Sequence, residues 1–187
     1  MSLRIIAGRF GGRTIATSDS FKTHPMGDRI RSSLFNILGD LDGLTVLDAF
    51  AGSGSLGLES LSRGAAHVTF IERDRLAQDV IMKNIEMLGV ADDVRLIKGS
   101  IAQWDTVTAA AEAEDTPTFD LIFADPPYGD LQPSTIARLA MHLQSDGQFV
   151  LSWPGKQDLP EIPSLSRTDT RDRKSTRLNS SHSHASR

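Results

Sequence analysis

Thr45-Val46-Leu47-Asp48-Ala49-Phe50-Ala51-Gly52-Ser53-Gly54-Ser55-Leu56-Gly57 is the stretch that decides the fold. Its first half has the pattern of a buried strand and its second half is a glycine-rich turn. Leu58 and Leu61 continue at helical spacing until Arg63-Gly64. Gly52, Gly54 and Gly57 fit G-x-G-x-x-G in a strand–turn–helix setting. A second apolar run, His67 to Ile71, ends at Glu72, 20 residues after Gly52.

Working outward, the pattern alternates. Leu3 to Ala7 and Arg13 to Ala16 can pair around Arg9 to Gly12. Ile30, Leu34, Ile37 and Leu38 predict a helix from about Met26 to Leu38, stopped by Gly39. Asp74 can cap a helix to Leu88 whose apolar stripe is Ala77, Val80, Ile81, Ile85 and Leu88. Strands are expected at Val94–Lys98, Phe119–Ala124 and Gln148–Ser152, with helices at Ile101–Ala113 and Pro133–Leu143 between them. Alternating β and α elements imply an α/β fold, a doubly wound and mostly parallel sheet with helices on both faces. Ligands then sit beyond the carboxyl ends of the strands, where Asp48, Glu72, Ser100 and Asp125 fall.

The glycine turn lets a ligand approach the backbone, and the following helix offers free N–H groups. Glu72 is spaced to take two ribose hydroxyls. Asp48 decides between cofactors. A carboxylate four residues before Gly52 is a poor neighbour for the pyrophosphate of a nicotinamide dinucleotide and a good one for a cation. S-adenosylmethionine has a ribose, an adenine, a sulfonium and an ammonium group, and no phosphate. Asp48 is otherwise read as a strand-end helix cap.

Asp125-Pro126-Pro127-Tyr128 follows the run Phe119 to Ala124. Two prolines fix φ at successive positions and remove two backbone donors, giving a stiff loop. It carries a carboxylate on one side and an aromatic face on the other, suited to a flat, nitrogen-bearing ring.

Together these residues carry a resemblance. Asp48 to Glu59, Ser62-Arg63-Gly64-Ala65, Glu72 and Asp125-Pro126-Pro127-Tyr128 resemble a Rossmann-like class I methyltransferase. Arg4-Ile5-Ile6-Ala7-Gly8, Gly12-Arg13 and Asp28-Arg29-Ile30-Arg31 resemble, more narrowly, the RsmD family. That family methylates the exocyclic N2 of a guanine in small-subunit (16S) ribosomal RNA. The resemblance covers roughly residues 3 to 153. It implies S-adenosylmethionine as cofactor, held by Asp48, Phe50, Gly52, Ser53, Gly54, Gly57, Glu72, Arg73 and Ser100. It implies that Asp125 and the Pro126 carbonyl hold the target amine while Tyr128 stacks on the base. Two departures stand out: Ser100 where many relatives have Asp, and His24 where the family usually shows Arg.

Charge is spread unevenly. Residues 1–31 hold six Lys/Arg against two acids, residues 32–166 eight against twenty, and residues 167–187 six against two. A basic arm on an acidic body points to RNA contact through Arg4, Arg9, Arg13, His24, Arg29 and Arg31. With no cysteine, disulfides and thiolate metal sites are excluded, and the five scattered histidines suggest no metal. No apolar run is long enough to span a bilayer, and nothing resembles a signal peptide, so a cytoplasmic protein is expected; a monomer is the expected state. The partner would be 16S ribosomal RNA within the small subunit or its assembly intermediate.

Three segments follow: an arm at 1–40, a methyltransferase domain at 41–166, and a tail at 167–187. The tail has one Leu and no aromatic residue and reads as disordered. Arg173 to Arg187 resembles a translated adapter, and the terminal hairpin that the family implies is expected to be truncated. Other readings are a DNA adenine-N6 or protein glutamine methyltransferase using the same loop, a nicotinamide dehydrogenase, and an inactive RNA- or cofactor-binding chain.

Overall fold

In a computed structural model the described residues are 2–17, 26–109, 116–127, 129–154, 158–162, 165–173 and 176–182. His24 and Tyr128 lie outside them, as do the last four residues of the helix expected at Ile101–Ala113. The chain divides into two compact units, residues 1–100 and 101–187. The expected boundary at residue 40 is therefore not seen. The arm belongs to the first unit because it buries Ile5, Ile15, Leu34 and Phe35 in that unit's core.

The first unit opens with β1 (Ser2–Arg4) and β2 (Thr14–Ala16), a short antiparallel pair. Helix α1 (Asp28–Leu38) follows, with Gly27 at its start and Gly39 at its end. Then come β3 (Thr45–Asp48), α2 (Ser55–Ser62), β4 (His67–Glu72), α3 (Arg75–Leu88) and β5 (Val94–Lys98). β4 lies between β3 and β5 and is parallel to both. Parallel strands need crossovers, which α2 and α3 supply. Every residue of α2 is buried, including Glu59. α3 starts as its sequence predicts: the Asp74 carboxylate accepts the Ala77 N–H at 3.0 Å.

The second unit holds α4 (Ile101–Ala109), β6 (Phe119–Ala124), α5 (Pro133–Leu139) and β7 (Leu143–Pro154). β6 and β7 run parallel, with a register shift between Phe119 and Leu121. α5 is shorter than expected. One 3-10 turn at Ala140–His142 follows it, and β7 begins at once. The extra residues of β7 sit at the bulge, where a Cβ on Gly147 would lie 2.9 Å from the Asp120 carbonyl oxygen.

The tail corrects the sequence reading. β8 (Ser166–Arg173) and β9 (Thr176–His182) form an antiparallel pair, and β9 pairs with β7 from Gln148 to Pro154. Composition predicts disorder because few side chains there can be buried. Strand pairing draws on main-chain groups instead, and the unpaired edge of β7 offers a row of them.

Candidate functional site

The glycine turn follows the end of β3. Gly52 has φ of 55°, in the left-handed region, and a Cβ built on it would meet nothing within 4 Å. The backbone there is open to a ligand. Gly57 is needed for the opposite reason. A Cβ on it would lie 2.3 Å from Phe70 Cε1 and 2.7 Å from Val68 Cγ1, so its absence lets α2 pack directly on β4. Close helix–strand packing is the role that chemistry assigns to the third glycine of this motif.

Glu72 ends β4, half-buried. Its Oε2 accepts the Gly52 N–H at 2.7 Å and its Oε1 accepts the Asp74 N–H at 2.7 Å. One carboxylate thus ties the turn to the start of α3. Each oxygen can accept a second bond, so the group still has capacity for ligand hydroxyls.

Asp48 is buried, and its Oδ2 accepts the Gly57 N–H at 3.0 Å. This is the capping alternative from sequence, realised by a residue of another element. Negative charge at the positive end of α2 is favourable. Phe50 and Ser100 are half-buried, Ser53 is buried, and Arg73 is exposed beside Glu72.

The arm is gripped by its main chain. The buried Glu59 carboxylate accepts the N–H groups of Ile6 (2.7 Å) and Ala7 (3.2 Å) and pairs with Arg63 (2.7 Å). Ser62 accepts the Phe10 N–H at its hydroxyl (2.9 Å) and the Arg9 N–H at its carbonyl (2.7 Å), while its hydroxyl donates to the Ala7 carbonyl. The loop so held presents Arg9 and Arg13, both exposed, with their guanidinium carbons 4.6 and 5.5 Å from the Phe10 ring centroid. Arg9 also pairs with Asp93 at 2.9 Å. Arg4 and Arg29 are exposed.

Arg31, expected to face RNA, is buried instead, 1% exposed. Its guanidinium donates to the carbonyls of Arg4 and Met26 and to Asp28, and it lies 4.0 Å from Glu59. A guanidinium committed to that many internal acceptors is not available to phosphate.

In the second unit Asp125 leaves the end of β6, half-buried, followed by Pro126 and Pro127. The Pro127 carbonyl accepts the Asp130 N–H at 2.8 Å and closes the loop. Burial pushes the Asp125 carboxyl above the usual carboxylate range, and a hydrogen bond with Ser152 opposes that shift. Ser152 lies in β7 and is buried. No cluster of metal-ligating side chains occurs among the described residues, and no described helix is long and apolar enough to cross a membrane.

Sequence reasoning missed Glu59, Ser62, Asn84 and Ser152. Two of them carried a signal. Asn84 sits on the apolar stripe of α3 between Ile81 and Ile85, and Ser152 interrupts the apolar run Phe149 to Trp153.

Comparison with known proteins identifies the family and the fold. YlbH of Bacillus subtilis is 33% identical over 163 residues, 85% of this chain and 86% of that one. Ribosomal RNA small subunit methyltransferase D of Escherichia coli K12 is 38% identical over 127 residues, 67% of this chain and 60% of that protein. The solved structure of yhhF from Escherichia coli superposes with a TM-score of 0.86 at 29% identity, covering all of both chains. The α/β fold with its mostly parallel strands is thus the Rossmann-like fold of class I methyltransferases. The family model described as Conserved hypothetical protein 95 matches residues 3–180, and the chain belongs to that family of RsmD-like methyltransferases.

Proposed function

We propose that this chain transfers a methyl group from S-adenosylmethionine to the exocyclic N2 amine of a guanine in small-subunit ribosomal RNA. The observation that carries the reading is Asp125: a half-buried carboxylate at a strand end, held by Ser152 and followed by two prolines. The E. coli relative's name supports ribosomal RNA of the small subunit as the acceptor. The reading carries with it a cytoplasmic monomer acting on the small subunit or its assembly intermediate.

The first unit fits the cofactor. The open face of Gly52 admits a ligand against the main chain, and Glu72 retains acceptor capacity for ribose hydroxyls. Phe50, Ser53, Gly54, Arg73 and Ser100 would complete its holder. Asp48 would act from behind the turn, fixing Gly57 and the start of α2. Bound S-adenosylmethionine supplies a methyl group on a sulfonium, already a good leaving group.

The remaining task is the acceptor. An exocyclic amine is a weak nucleophile because its lone pair is delocalised into the ring. Asp125 accepts one N–H and the Pro126 carbonyl the other, which favours a tetrahedral nitrogen with a usable lone pair. Tyr128 stacks on the base, worth about 1–3 kcal/mol. Alignment of two bound reactants can supply about 7–11 kcal/mol of the barrier. The base must be unpaired or leave its stack. Arg4, Arg9, Arg13 and Arg29 meet RNA phosphate, and two of those cations, Arg9 and Arg13, lie against the Phe10 ring.

The test is transfer of labelled methyl from S-adenosylmethionine to unmethylated small subunits, with naked ribosomal RNA, DNA and protein extract alongside. Label recovered as N2-methylguanine from subunit RNA is the expected result. Label in N6-methyladenine or in protein glutamine would replace it with the alternative acceptors.

A further inference from the structure

The arm and the glycine turn are joined by one buried amide. Asn84 of α3 is 0% exposed. Its Oδ1 accepts the Ala16 N–H at 2.8 Å, and its Nδ2 donates to the Ala16 carbonyl at 3.0 Å and to the Ser53 carbonyl at 3.1 Å. Ala16 is the last residue of β2, and Ser53 lies between the first two glycines of the turn. The carboxamide is planar, so its three bonds cannot be adjusted independently. Rotation of the Ser53 peptide changes where Nδ2 can point, and with it the pair of bonds that holds Ala16.

A ligand seated on the turn restricts that peptide. The open face of Gly52 and its bond to Glu72 place the restricted segment next to Ser53. Ordering at one end of a shared hydrogen-bond set lowers the cost of ordering the other. Resting on the functional reading above, we propose that Asn84 is a positioning residue that couples cofactor binding to RNA binding, by holding the arm to the glycine turn. The coupling is reciprocal by linkage: whatever factor the cofactor adds to RNA affinity, RNA adds to cofactor affinity.

Two measurements test it, with S-adenosylhomocysteine as the probe. The first is amide exchange in the wild-type protein without RNA. The Ala16 N–H donates to Asn84 itself, so its exchange reports that contact. Slowing by about five-fold or more on adding the probe is expected, the lower end of usual coupling. An unchanged rate overturns the proposal. The second is affinity for a small-subunit RNA fragment with and without the probe, in wild type and in Asn84→Asp. The aspartate keeps the acceptor for Ala16 and removes both donors. A ratio of about five or more in wild type that falls to near one in the variant supports coupling. Equal ratios overturn it, whereas a merely structural role would lower the melting temperature and leave the ratio alone. If the variant does not fold, the wild-type exchange result decides. Failure of the probe to bind at all would sink the functional reading as well. Binding and methyl transfer without slowed Ala16 exchange would sink only the coupling.

Discussion

Gly52 and Glu72 are joined by a 2.7 Å hydrogen bond across 20 residues, from the N–H of the glycine turn to the carboxylate that ends β4. The glycine turn and the acid therefore hold each other before any ligand arrives. The acid shapes the turn, and each of its oxygens can still accept a second bond.

Glu72→Ala should accordingly weaken S-adenosylhomocysteine by about 10- to 100-fold. Hydrogen bonds to a charged group are worth about 1.5–3 kcal/mol, and the variant also leaves Gly52 and Asp74 without their acceptor. Calorimetric titration checks this; an unchanged affinity refutes the assignment.

Gly57→Ala should destabilise the fold by about 1–3 kcal/mol, the usual cost of overpacking. The new methyl would meet the Phe70 ring at 2.3 Å. Trimming the obstacle with Phe70→Leu should return part of the loss. A denaturant series on the two single variants and the double variant reads the interaction directly, and purely additive losses would disprove the contact.

Asp125 makes opposed predictions for turnover and stability. Its carboxyl is raised by burial, so the ionised form that the proposed role requires appears only as pH climbs past that raised value. Turnover should rise with pH through that range, and Ser152→Ala should move the rise to higher pH by removing the opposing hydrogen bond. The folding consequence has the other sign. Stability contributed by the neutral carboxyl is complete below the ordinary aspartate value and is lost as pH passes the raised one. Asp125→Asn should abolish most turnover yet melt higher than wild type at alkaline pH. A pH–rate profile with parallel thermal melts tests both limbs.

Arg9 and Arg13 should separate cleanly from Arg31. Removing both exposed arginines should weaken RNA and reduce the salt dependence of binding by about two phosphate contacts, with cofactor affinity intact. Arg31→Met should leave little folded protein to assay, because breaking a buried charge set costs about 3–5 kcal/mol. Normal stability of Arg31→Met would show that its buried bonds are dispensable.

Ending the chain at Leu165 removes β8 and β9 and bares β7 from Gln148 to Pro154. Loss of solubility or a lower melting temperature is expected, since an open edge templates pairing between chains. Light scattering and a thermal melt suffice, and unchanged values would mean that β7 needs no cover.

The glycine turn, its flanking acids and the strand–helix alternation were legible because each leaves a local signature: a spacing, a period or a capping residue. Asp48 was legible as an acid at the right place, but its bond to Gly57 depends on how α2 folds back over β3. Arg31 was misread because charge is visible in sequence and burial is not: four groups scattered from Arg4 to Glu59 enclose it. The tail was misread for a related reason. Side-chain composition predicts what a segment can bury, and β9 is held by main-chain pairing to β7, which composition does not encode.

Glu59, Ser62 and Asn84 all grip the arm through its backbone, at Ile6, Ala7, Arg9, Phe10 and Ala16. The outward side chains of that loop take no part in these bonds. Under the proposed function they are free to drift toward a different RNA while the attachment persists, so substrate choice and anchorage can evolve on separate residues.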